Sequence, residues 1–153
     1  MGIALLLHAL AAVVWVGGMF FAYMALRPVA ASQLEAPQRL ALWAGVFGKF
    51  FPWVFTAIAV LLLTGFWMVL SFYGGFDAVG LYVHLMLWLG ILMMLVFLHV
   101  YFAPFKRLKL AVAEEDWKTG AGKLAQIRLL IAVNLSLGVC VVAVASGGRY
   151  LLP

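Results

Sequence analysis

The sequence predicts an all-α integral membrane protein, a bundle of four transmembrane helices with both chain termini on the outer, periplasmic side. Three observations carry this expectation. Of 153 residues, 68% are hydrophobic and only 10% charged, whereas a soluble domain is about half apolar and about a quarter charged because its surface faces water. The mean hydropathy is +1.17, and the charges stand in clusters between long uncharged runs. Finally, Lys and Arg fall almost entirely in two of the segments between those runs, which is how a membrane protein sets its orientation. The net charge of +5 punctuates run ends and forms no exposed stripe, so no nucleic-acid partner is expected. Cys140 stands alone, which excludes a disulfide framework and a cysteine-based zinc site.

Charge-free runs cover residues 2–26, 50–76, 78–105 and 129–148. Each reaches the roughly 20 residues that a helix needs to cross the hydrocarbon. The predicted spans are 3–26, 51–73, 79–103 and 128–147, in a single transmembrane domain covering 1–153. The first run has no Lys or Arg before it and is longer than the apolar core of a secretory signal, so it is expected to remain as a helix. Leu6 stands where a myristoylation signal requires Ser or Thr. Between the second and third spans, the glycines and aspartate of Tyr73-Gly74-Gly75-Phe76-Asp77-Ala78 predict a short turn. Residues 32–42 and 108–124 are polar enough to be interfacial or soluble helical pieces. Glu114, Glu115 and Asp116 with Lys118 read as a solvated face.

Arg27, Arg39 and Lys49 lie between the first and second spans; Lys106, Arg107, Lys109, Lys118, Lys123 and Arg128 lie between the third and fourth. The opposite face has Arg149. The positive-inside rule makes both basic segments cytoplasmic and suits a multi-pass protein of a bacterial inner membrane.

Polar side chains inside hydrocarbon are expensive and mark function by default. They are His8, Thr56, Thr64, His84, His99, Asn134 and Ser136. No span contains Asp, Glu, Lys or Arg, which argues against a carboxylate-based ion pump and leaves histidine as the titratable group. At 1.5 Å per residue, His8 and His84 each lie about 8 to 9 Å inside the outer end of their helices. Two neutral imidazoles at one depth suit a six-coordinate haem b held between helices. Ala11, Ala12, Trp15 and Gly18 fall near the face of His8 and predict a cavity wall of small side chains and one flat aromatic. Arg149, beside Tyr150, is the cation available to a haem propionate, or else simply ends its span. His99, about 22 Å further along than His84, finds no histidine at its own level. It reads as an interfacial histidine, a single metal ligand or a ligand across a dimer. Met86 points about 160° away from His84 on a helix and cannot share its ion; Met19, Met24, Met86 and Met93 read as lipid-facing or packing groups. Thr56, Thr64, Asn134 and Ser136 read as packing, by back-bonding or by bonds between helices. Small residues from Ser136 to Gly147, and the pair Gly17-Gly18, predict close helix approach and a homodimer.

The stretch from Leu7 through His8, Trp15, Gly17, Gly18 and Phe20 to Leu26-Arg27-Pro28, an H-x6-W-x-G-G pattern, resembles the opening helix of the copper resistance protein D (CopD) family. It is similar, more loosely, to the HemJ family of four-helix protoporphyrinogen oxidases. Lys49-Phe50-Phe51-Pro52, Leu63-Thr64-Gly65, Val83-His84 and Leu98-His99 extend the likeness over most of the chain. The CopD resemblance implies copper passage across the inner membrane, or kinship with membrane b-type cytochromes. The HemJ resemblance implies haem synthesis and bound haem b. HemJ proteins carry a lysine two residues after the third-helix histidine, and this chain has Met86, which sets protoporphyrinogen oxidation in doubt.

The functional expectation is therefore a b-type cytochrome that moves electrons between a quinone or small oxidant and a redox partner, with His8, His84, Trp15 and Arg149 around haem b. The alternatives are a copper transport protein, with His8, His84 and His99 as metal ligands, and a HemJ-like oxidase.

Overall fold

The computed structural model describes residues 1–151 and every side chain among them except that of Arg149. Four helices are long and apolar enough to cross a membrane: α1 at Gly2–Gln33, α2 at Ala36–Phe72 and α3 at Leu81–Ala113, followed by α4 at Trp117–Leu151. No strand is present among the described residues. The all-α four-helix membrane fold is the one the sequence predicts. Helices suit this composition because lipid offers no partner for backbone N–H and C=O groups, which a helix satisfies internally.

The helices run up and down in turn. His8, near the start of α1, meets Thr64 near the end of α2. Gly120, at the start of α4, faces Ala111 at the end of α3 and Leu40 at the start of α2. At the other end Gly148 of α4 touches Tyr82 of α3. α1 packs chiefly on α2, and α3 on α4.

The polar stretches expected to form separate interfacial pieces are instead continuous with the spanning helices. α1 runs to Gln33 and α2 restarts at Ala36, so only Leu34 and Glu35 intervene. The reason is local. Pro37 occupies the first turn of α2, where its missing N–H costs nothing, and Glu35 with Gln38 forms a capping box across the helix start. Asp116 plays the corresponding part for α4, its Oδ1 accepting the Thr119 N–H at 3.0 Å. The turn before it places Glu115 at φ 57°.

The core is aromatic. Trp43, Phe47, Phe51 and Phe55 recur every four residues and share one face of α2. Phe47 stacks on Phe51 with ring centroids 5.2 Å apart, and Phe51 meets α3 edge-on through Phe105 at 4.8 Å and Phe97 at 5.3 Å. Phe97 in turn receives Trp15 of α1 at 6.2 Å. The outer surfaces stay apolar, with Ile3, Leu63, Trp88 and Leu129 all exposed, as lipid-facing helix faces should be. Pro104 is accommodated where α3 widens to π-type turns at Tyr101–Phe105.

Gly18 sets the distance between α1 and α2, because a Cβ there would collide with the Phe50 ring. Gly138 likewise lies against Val16 and Met93. Both glycines thus serve contacts inside the chain, while Ser136, Cys140 and Ala143 face outward.

Gly18→Ala is expected to push α1 from α2 and to destabilise the protein by about 1–3 kcal/mol; an unchanged thermal midpoint in detergent would show that Phe50 yields freely. The side-chain hydrogen bond with Thr119, aided by its backbone N–H, holds the Asp116 carboxyl below its ordinary value of 3.8. A depressed carboxylate stabilises above its unfolded value and loses that contribution as pH falls through its folded value. The stability difference between the parent and Asp116→Asn should therefore be constant near neutrality and shrink in acid. A difference that does not change on acidification would remove the cap from this account.

Candidate functional site

His8 is seated by α2. Its Nδ1 lies 2.8 Å from Thr64 Oγ1, and the Thr64 hydroxyl donates to the Val60 carbonyl at 2.6 Å. A hydroxyl has one proton to give, so with that proton on Val60 the oxygen accepts from His8 Nδ1–H. In that tautomer Nε2 is an unprotonated lone pair, the state that a metal ligand requires. Gly65 makes room, since a Cβ there would stand 3.3 Å from His8 Cε1. Thr64, expected to serve packing through its own helix, thus also holds the histidine.

Deeper in the bundle lies a cavity of about 150 Å³ whose walls include Trp15, Met19, Phe51, Phe97 and Asn134. Its lining is otherwise apolar. Asn134 is 3% exposed, and its Oδ1 has no hydrogen-bond partner among the described residues. Asn134 does not use this oxygen to join helices, as the sequence led one to expect. A buried acceptor without a partner costs about 1–3 kcal/mol, and groups retained at such a cost in a membrane interior are functional candidates.

Met19 and Met93, expected to face lipid or fill gaps, are both buried in the bundle, at 4% and 3% exposure. His8, Trp15 and Met19 follow one another at seven and four residues, so one face of α1 carries an imidazole, an indole and a thioether inward over about 16 Å. Met93 approaches α4 at Gly138, one turn from Asn134. No sequence motif marks this set, because its members come from three helices; the available signal is the i, i+7, i+11 spacing on α1.

The other predicted positions are placed differently. His84 is half-buried and its ring lies tilted against Phe76 of the α2–α3 connection at 6.4 Å. His8 thus contacts α2, and His84 contacts Phe76. His99 is exposed on the bundle surface. Trp15 is buried beside Phe97, at the wall of the central cavity. The Arg149 side chain lies outside the described residues. No group of three or more His, Cys, Asp or Glu that could hold a metal is present among the described residues.

Nothing among the described residues supports haem b. Pockets for organic ligands run from about 300 to 1,000 Å³, the central cavity is about 150 Å³, and neither His8 nor His84 lines it. The sequence expectation of a haem-based electron carrier is left without support.

The family model for copper resistance protein D (CopD) matches residues 44–147, more than half of the chain. The match holds His84, His99, Met93 and Asn134, and begins after the helix that carries His8 and Trp15. No curated protein and no solved structure matches the chain.

Replacing Asn134 by Leu should raise stability by about 1–3 kcal/mol, because it deletes an acceptor that the fold leaves unpaired. Chemical unfolding in mixed micelles measures this, and a loss of similar size would mean that Oδ1 is partnered after all.

Proposed function

We propose copper-ion passage through the membrane as the function of this chain, which belongs to the copper resistance protein D family. The observation that carries the proposal is the imidazole of His8, held through Nδ1 by Thr64, at the head of an interior line of soft donors. Imidazole and thioether groups suit Cu(I). Copper here is cargo. It would pass from His8 to the level of Met93, then to the cavity that Met19, Trp15 and Asn134 line.

Each group has a separate task. His8 takes the ion from water by exchanging an imidazole for part of its hydration. The Trp15 ring offers its negative face to a cation that has left water. Asn134 offers an oxygen that no protein proton occupies. Few donors at each level suit passage better than storage, since an ion that moves on must be held weakly at every stop. Ala22, Phe47 and Ile131 line both the central cavity and a second one at the basic end, so onward movement would run between these side chains.

Proteoliposomes loaded with a Cu(I)-selective chelator are expected to accumulate copper faster than protein-free vesicles, with His8→Ala and Met19→Leu each slowing the rate severalfold. Equal rates with and without protein would reject copper passage. Thr64→Val leaves the imidazole in place but unlocked, and should weaken copper binding by about 10–100-fold. An optical spectrum and metal assay of purified protein provide the opposing outcome: reduced b-haem bands with stoichiometric iron would restore the cytochrome.

A further inference from the structure

At the basic end of the bundle a cleft of about 270 Å³ opens between α1, α2 and α4, and each of these helices contributes one arginine to its wall: Arg27, Arg39 and Arg128. Among the described residues no Asp or Glu lines it. The acidic residues at the nearby helix starts are engaged elsewhere, Glu35 in its capping box and Asp116 with the Thr119 N–H. Arg27 and Arg39 are half-buried and Arg128 is exposed. Arg27 lies 4.6 Å from the centroid of the Tyr23 ring, a contact that holds the guanidinium without neutralising it.

Three guanidinium groups around one small space repel each other, and here no protein carboxylate on the wall compensates them. The wall is also selective in kind. All its cations are arginines, whose planar forks match phosphate oxygens two at a time. Lys106 and Lys109 of α3 lie instead over Phe102 and Phe105. Beyond the arginines the wall turns apolar, with Trp43, Phe47 and Ile131, and Ala22, Phe47 and Ile131 continue into the central cavity. Charge at the mouth and apolar wall behind it fit a molecule with an anionic head and a hydrocarbon tail.

We propose that this cleft binds the phosphate of an anionic phospholipid, its headgroup on Arg27, Arg39 and Arg128 and an acyl chain along the seam between α1 and α4. The recognised chemistry is the phosphate, and the apolar continuation favours a lipid over a free ion as its source. The cleft and copper passage stand or fall separately.

The test uses the full chain, purified in detergent and stripped of lipid, with thermal unfolding followed during titration. Phosphatidylglycerol is expected to raise the midpoint in a saturable way and phosphatidylcholine to leave it unchanged. Arg27→Gln, Arg39→Gln and Arg128→Gln should each weaken the apparent affinity about fivefold, whereas Arg107→Gln, an equal loss of charge at an exposed position outside the cleft, should not. Lysine at the same three positions keeps the charge and guards against misfolding, and its affinity should fall between parent and glutamine variants. A saturable shift with inorganic phosphate alone, lost in the cleft variants, would overturn the lipid as occupant. Equal weakening by Arg107→Gln, or none by the cleft variants, would overturn the site.

Discussion

Lipid tails are as apolar as leucine, so the helices of this protein gain little from burial alone and must be held by close packing. The aromatic face of α2 does that work. Trp43, Phe47, Phe51 and Phe55 project at one-turn intervals, and Phe97, Tyr101 and Phe105 of α3 meet them edge-on. Trp15 ties α1 into the same stack. Edge-to-face pairs contribute about 0.5–1.5 kcal/mol each beyond area burial. Rings from three helices therefore fix the interior to which every other contact is fitted.

That interior is apolar, which raises the stakes for each polar atom in it. His8 is satisfied by a chain of bonds that ends on a helix carbonyl, imidazole to Thr64 hydroxyl to Val60 oxygen. Asn134 is treated in the opposite way, buried with an oxygen that nothing among the described residues answers. A satisfied group holds a ligand in position and an unsatisfied one waits for a ligand. His8 thus stands near one end of the interior, while Asn134 and Met19 share the central cavity.

The two ends of the bundle have contrary electrostatics. The His8 end offers neutral donors, which accept a cation without repelling it. The other end gathers three arginines in one cleft, a place that rejects a bare cation and attracts an anion. An anion seated there would also lower the positive field that the proposed copper ion would meet beyond the central cavity.

Composition and charge spacing alone determined the class of this protein: uncharged runs of spanning length can only be helices in lipid, and their number and approximate limits follow from counting. The aromatic spacing of four on α2 was equally present in the chain, as were the histidines. The tertiary structure decided where those side chains meet. Matching depth set His8 and His84 at one level, but depth is one coordinate of three, and only packing shows that His8 meets Thr64 and Gly65 and that His84 meets Phe76. Met19 and Met93 could not be told from lipid-facing residues, since hydropathy is the same on both faces of a helix that is apolar all round. The convergence of Arg27, Arg39 and Arg128 was hidden for a related reason: the positive-inside rule counts charges by segment, while a cleft is made by side chains from separate segments brought together only when the helices pack.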